Sequence, residues 1–191
     1  MGRLCGIYDT EDDIMDGSPD FLKLAAERYS VRSFLDKPVE RAVIDRILEA
    51  GRLAPTACNR QPQRILVIDG EQGREKLKKC TVCHFNAPAA LLICYDKNEC
   101  WVRDYDQKNS GDIDASIVAC HMMLAAHSLG VGMTWVMYFI PEAVREEFSI
   151  PENMEPVALL IMGYPAPDVK PFPAHSQFKP AESMVYYNSF K

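Results

Sequence analysis

The segment from Asp112 to Leu129 places the tightest limit on what this chain can become. It reads Asp-Ile-Asp-Ala-Ser-Ile-Val-Ala-Cys-His-Met-Met-Leu-Ala-Ala-His-Ser-Leu, and Gly130 follows it. After its first turn it is apolar nearly all round. A helix of that kind is buried on most sides. A chain of 191 residues is expected to form one domain with a sizeable core. For a chain of that size, an interface between subunits is one way to cover such a helix.

The other elements follow from shorter patterns. Residues 1–17 read as an acidic, loosely held lead-in. Ser18-Pro19-Asp20 is a helix start signal, and that helix runs to about Glu27 or Tyr29. Pro38 is expected to open a second helix, with Val39, Val43, Ile44, Ile47 and Leu48 at helical spacing, ending near Leu53 before Pro55. Arg64 to Ile68 reads as a strand closed by Asp69-Gly70, and Glu71 to Lys79 as a short charged helix. The continuous apolar run Ala89 to Tyr95 suits a strand buried on both faces. Gly132 to Phe139 is a further strand, Pro141 to Phe148 a helix, and Val157 to Met162 a last strand. Five prolines from Pro165 to Pro180 make the C-terminal tail extended, wrapped over a surface. Helices and strands mix without regular βαβ alternation, and no Gly-x-Gly-x-x-Gly follows the first strand. A Rossmann reading therefore fails, and an α+β sheet flanked by helices is the better description.

The formal charge of −6 argues against nucleic acid as the main partner. Runs such as Ala87 to Cys94 are too short to span a bilayer. The acidic N-terminus carries no export signal, so a cytoplasmic location is expected, and the seven scattered cysteines are expected as free thiols.

Three segments present groups for chemistry. Arg28, Ser30 and Arg32 project on one side of an extended stretch, where two planar guanidinium forks and a hydroxyl suit an anion and a second electron-rich group; a solvated basic turn is the plainer alternative. Ala54-Pro55-Thr56-Ala57-Cys58-Asn59-Arg60-Gln61-Pro62 offers a hydroxyl, carboxamides and backbone N–H groups on a backbone stiffened by two prolines. An ordinary helix-to-strand loop would also contain Asn and Pro. The polar stretch Asp96 to Gly111 carries Trp101 and Tyr105, large aromatics suited to stacking on a flat substrate.

In this order and spacing the pieces resemble the nitroreductase family. Arg28 to Arg32, followed by Phe34, is similar to its Arg-x-Ser-x-Arg segment, and Ala54 to Pro62 to its Ala-Pro-Ser/Thr-x-x-Asn-x-Gln-Pro loop. Leu124 to Val136 resembles its Leu-x-Ala-x-x-Leu-Gly-Leu-Gly-x-x-Trp pattern, and Met162-Gly163-Tyr164-Pro165 ends the last strand as in the family. The resemblance implies a nitroreductase-like fold, with a mostly antiparallel central sheet flanked by helices, in an intertwined homodimer. Residues 18–191 would be one FMN-binding domain, tail included. Arg28, Tyr29, Ser30 and Arg32 would hold FMN at its phosphate and pyrimidine side. Pro55, Thr56, Ala57, Asn59 and Gln61 would reach it from the other subunit, and Trp135, Val136 and Met137 would lie beside the isoalloxazine. Lys179, or failing it Lys170, would complete the phosphate site, and Trp101 and Tyr105 would meet the substrate. Met137-Tyr138 stands where many members have a Gly-containing pair, and Phe178 where an Arg often stands.

The implied activity is reduction of FMN by NADH or NADPH, with electrons passed by a ping-pong mechanism to a nitroaromatic, quinone or other flat acceptor. Alternatives on the same scaffold are reductive dehalogenation, flavin fragmentation, or flavin binding without catalysis. The flavin carries the redox chemistry, so no catalytic side chain is required. Cys80-Thr81-Val82-Cys83-His84 is incomplete as a metal site, which needs about four ligands, and lacks the context of a redox dithiol, so no metal is expected. His121 and His127 are expected as hydrogen-bonded core or interface residues, and Met122 and Met123 as packing residues.

Overall fold

The computed structural model describes residues 20–190. Four strands and five α-helices are assigned among them: α1 (Asp20–Glu27), α2 (Arg41–Arg52), β1 (Gln63–Ile68), α3 (Gly70–Cys80), β2 (Ala89–Asp96), α4 (Gly111–Ser128), β3 (Gly132–Val136), α5 (Pro141–Glu147) and β4 (Met154–Gly163). The expected lead-in over residues 1–17 and the start signal Ser18-Pro19 lie outside the described residues.

The apolar run at 89–95 becomes β2, which pairs antiparallel with β1 on one side and β4 on the other; β3 closes the order β1-β2-β4-β3, also antiparallel. Side chains alternate across a strand, so β2 feeds two cores. Leu91, Ile93 and Tyr95 join Leu160 and Met162 of β4 beneath α2 and α4. Ala90, Leu92 and Cys94 join Leu159 and Ile161 beneath α3 and α5. Each fully buried Leu or Ile contributes about 1.5–3 kcal/mol, so the two central strands anchor both layers. Among the described residues no helix is long and apolar enough to cross a membrane.

Three expectations are corrected. The second helix starts at Arg41 with Glu40 as its cap, not at Pro38; Val39 is buried just ahead of it, and an apolar residue in helical register does not have to be helical. The strand expected over 132–139 stops at Val136, because Phe139 N–H donates to Met137 O and Ile140 N–H to Cys80 O, which turns the chain toward α3. The last strand begins at Met154, three residues before the expected Val157. Pro156 sits inside it opposite Cys94, where the register shifts, and an irregular pairing is where a sheet tolerates proline.

α4 buries Ala115, Val118, Ala119, Met122 and Ala126 on one face. Its other face leaves Ile113 52% exposed in the single chain, with Cys120 and His121 exposed as well. His121 is therefore not a core residue of the single chain.

Residues 30–35 lie along the open edge of β3 and past the end of β4. Ser30 bridges Met133 in parallel, and Phe34 bridges Pro165. Val31 N–H donates to Met133 O at 3.1 Å and Leu35 N–H to Tyr164 O at 2.9 Å. The approach requires Gly132: a Cβ there would stand 2.6 Å from Val31 Cγ2. Gly132→Ala is expected to lower stability by about 1–3 kcal/mol, the usual cost of overpacking, as read by urea unfolding.

Tyr164 hydroxyl donates to the Glu40 carboxylate, and Lys37 Nζ stands 3.0 Å from the same group. The tyrosine bond first, then the lysine, hold Glu40 down to about 2. The sign follows from the depression: this tie is present above the ordinary carboxylate range and is lost as pH falls toward 2. In Tyr164→Phe the Glu40 titration should move up toward 4.5, read by NMR.

Candidate active site

Arg28 stands just past α1, and its backbone N–H closes that helix on Leu24 O at 3.1 Å. Burial lowers the His127 imidazole below its ordinary value; Glu27 opposes the shift and Arg28 adds to it. The helix ending at Glu27 packs on α4, and Val31 bonds to Met133 just past the end of α4, so Arg28 lies on the C-terminal side of α4. Ser30 is half-buried on β3, and Arg32 is exposed, with its guanidinium 3.3 Å from Ser30 O. Among the described residues neither Arg28 nor Arg32 is in an ion pair. Unpaired guanidinium groups on a backbone fixed by the sheet are suited to an anion.

The tail returns to this place. Tyr29 hydroxyl donates to Val169 O at 3.4 Å, His175 Nε2 is 3.0 Å from Ala26 O, and the Tyr29 and His175 rings meet edge to face at 6.3 Å. Lys170 follows Val169 directly and Lys179 lies four residues past His175, and both are exposed.

The loop at 54–62 sits at the other end of α4. Ala57 to Asn59 form a short 3-10 turn. Cys58, Asn59 and Gln61 have φ of 49°, 53° and 51°, a region that costs L-residues about 1–2 kcal/mol each. Gln61 N–H donates to Thr56 Oγ1 at 3.0 Å, and its carboxamide to Asn59 Oδ1 at 3.1 Å. Gln61 thus shapes the loop, while the Thr56 hydroxyl keeps its own hydrogen to donate. Pro55 is exposed. Ala57 N–H is turned inward, onto Asp114 Oδ1 at 2.8 Å. Asp114 was not among the residues singled out from sequence: in an apolar segment it reads as first-turn helix chemistry, and its partner is 57 positions away.

Trp135 is half-buried against the core under α2 and α4. Val136 turns its side chain into the other core, so its backbone is what remains to border a ligand. Met137 is 69% exposed just past β3. Trp101 is half-buried, and its carbonyl accepts from Ser110 N–H at 2.9 Å. Tyr105 is 98% exposed at the tip of a hairpin closed by the Val102–Asn109 bridge. The two aromatics are not brought together.

Two cavities border these elements. One, of about 490 Å³, is lined by Arg32, Ser33, Phe34, Asp36, Arg74, Phe85 and Asn86. It sets a second guanidinium and a carboxamide beside Arg32. Arg74 gave no sequence signal within a charged helix; Phe85 and Asn86 carry positive φ of 49° and 50° in the turn before β2. The other, of about 320 Å³, lies between the end of α3 and residues 138–140 and is lined by Lys78, Lys79, Cys80, Thr81, Val82, Tyr138, Phe139 and Ile140. Among the described residues no group of three or more His, Cys, Asp or Glu is placed to hold a metal ion.

Comparison with known proteins places this architecture. The model of the Nitroreductase family matches residues 25–90 and 83–164. A protein of Methanothermobacter thermautotrophicus, described as a candidate NADH dehydrogenase/NAD(P)H nitroreductase, is 33% identical over 162 residues, covering 77% of this chain and 78% of that protein. The crystal structure of a nitroreductase family protein from Clostridium difficile 630 is similar with a TM-score of 0.81 and 43% identity, over 87% of this chain and 97% of that one. An FMN-dependent nitroreductase from Clostridium difficile R20291 matches with a TM-score of 0.70 and 28% identity, over 87% and 98%.

The thiols divide by burial. Burial pushes Cys80 and Cys94 up to about 11, so at neutral pH both are protonated and inert. Cys58 is exposed on the 54–62 loop. Brief alkylation of the native protein at pH 7.5 should label Cys58 and leave Cys80 and Cys94 unmodified until denaturant is added, as read by peptide mass spectrometry.

Proposed function

The chain belongs to the nitroreductase family and is by class an FMN-dependent NAD(P)H oxidoreductase, and on that premise we propose that it passes electrons to a nitroaromatic, quinone or other flat acceptor in two successive half-reactions. The observation that carries this reading is the pair Arg28 and Arg32, free of ion pairs among the described residues, on a segment fixed to β3.

The donor set fits FMN: guanidinium groups for a phosphate and for the carbonyl edge of a ring, with hydroxyls and carboxamides nearby. Bound there, FMN would supply the two-electron transfer between NADH or NADPH and the second substrate. Arg28 anchors the phosphate. Arg32 holds a fixed cation toward the pyrimidine side, where a preorganised charge favours the negative charge gained on reduction. Ser30 and Tyr29 complete this half of the site, and Lys179 or Lys170 supplies the tail cation. Trp135, the Val136 backbone and Met137 border the ring. Tyr105 at the hairpin tip and Trp101 at its foot are the side chains offered to acceptors.

The other half of the site comes from a second copy of the chain. Asp114, which binds the 54–62 loop, and His127, which neighbours Arg28, are thirteen residues apart on one helix, about 20 Å at 1.5 Å per residue. Bringing Thr56 and Asn59 to the Arg28 end therefore favours a homodimer in which each chain lends its loop to the other's flavin. The exposed apolar side chains are available for such an interface: Ile113 on α4, Leu53, and Phe172, Phe178 and Phe190 of the tail are half or more exposed in the single chain. Residues 18–191 then act as one FMN-binding domain whose tail covers the partner. The six described cysteines are free, which favours a reducing compartment such as the cytoplasm.

Purified protein should be yellow, and anaerobic NADH or NADPH should bleach it; a colourless protein that ignores added FMN overturns the reading. Arg28→Ala is expected to weaken FMN binding at least tenfold, measured by quenching of flavin fluorescence.

A further inference from the structure

Asp114 is a buried carboxylate with no part in the proposed flavin contacts. It is 2% exposed, and among the described residues no cation pairs with it. Oδ1 accepts Ala57 N–H at 2.8 Å, Oδ2 accepts the Ser110 hydroxyl at 2.6 Å, and Asp114 N–H closes the first turn of α4 on Ser110 O at 2.8 Å. A carboxylate is expensive to bury unless its oxygens are hydrogen-bonded, and the start of a long helix favours its charge.

What the carboxylate holds is a loop with strained backbone. Three of its residues, Cys58, Asn59 and Gln61, sit at positive φ. Within it, the Gln61 bonds to Thr56 and Asn59 lie at an exposed surface, Asn59 and Arg60 N–H donate to Thr56 O and Ala57 O, and its end is pinned by Asp96 N–H on Pro62 O. The bond from Ala57 to Asp114 ties the loop to the rigid core. Strained backbone persists where surrounding structure over-determines it.

We infer that Asp114 is a positioning residue: through Ala57 it fixes the 54–62 loop in the one conformation that presents Thr56 and Asn59 outward. Its effect on cofactor affinity rests on the functional reading above, whereas its effect on the loop does not. The Ser110 side chain shares the carboxylate but bonds nothing in the loop, which separates loop positioning from general support of α4.

The test uses the full chain with Asp114→Ala, Asp114→Asn and Ser110→Ala. Hydrogen exchange without cofactor should show faster exchange at residues 56–61 in Asp114→Ala, with β2 and β4 protected as before. FMN affinity should fall tenfold or more in Asp114→Ala. It should stay within threefold of the parent in Asp114→Asn, whose carboxamide oxygen still accepts from Ala57, and in Ser110→Ala. Folded Asp114→Ala with parental loop exchange or parental FMN affinity overturns the inference, as does an equal loss in Ser110→Ala. Should Asp114→Ala not fold, Ala57→Pro removes the donor instead. Thr56, at φ −131° and ψ 158°, already has the backbone a residue before proline adopts. That variant should also lose FMN at least tenfold, and parental affinity overturns the inference. A parent protein that binds no FMN sinks the functional reading alone, and the exchange measurement still decides whether Asp114 holds the loop.

Discussion

The pairing of β2 with β4 is the constraint from which the rest of the structure follows. Both strands are apolar on both sides, so a single layer of helices leaves one face wet. The chain answers with α2 and α4 over one face and α3 and α5 over the other. Once β2 and β4 are central, β3 must be an edge. An edge strand has unpaired backbone groups, and residues 30–31 use some of them. The segment carrying Arg28 and Arg32 is thus fixed by the sheet, at the cost of a glycine at 132 where a side chain would collide with Val31.

α4 divides the site as much as it fills the core. Its C-terminal end leads into β3, which holds the arginine segment, and its N-terminal end holds the 54–62 loop through Asp114. A straight helix cannot bring its own two ends together. In the proposed homodimer the apolar surface left on α4 and along the tail would be covered, and the loop end of one chain would meet the arginine end of its mate. The features that make the single chain look unfinished are those that the proposed shared site requires.

Sequence pattern located the elements well where periodicity was strong and poorly where a local exception ruled. The helix at 111–128, the buried strand at 89–96 and the charged helix at 70–80 lie within a residue or two of their expected bounds. β4 reaches three residues further back than its apolar run from Val157, because its pairing with the irregular stretch of β2 at Cys94 makes room for Pro156. β3 was read long because Met137 to Phe139 are apolar, although that stretch turns to bond with Cys80 and Thr81. The cavity beside Arg32 was missed in part because Arg74 and Asn86 reach it from other elements, and no spacing in the chain records that meeting.

Residue order alone determined the family, the α+β class and which segments carry guanidinium, hydroxyl and carboxamide groups, because these are properties of local composition and spacing. Tertiary structure decided what those groups face. It turned Ala57 N–H inward onto a buried carboxylate, sent the Val136 side chain into the core, set Arg74 beside Arg32 and placed the two halves of the expected site at opposite ends of one helix. The physical reason is the same in each case. A hydrogen bond between residues 57 positions apart, or a cavity lined from three elements, exists only after the sheet has brought them together.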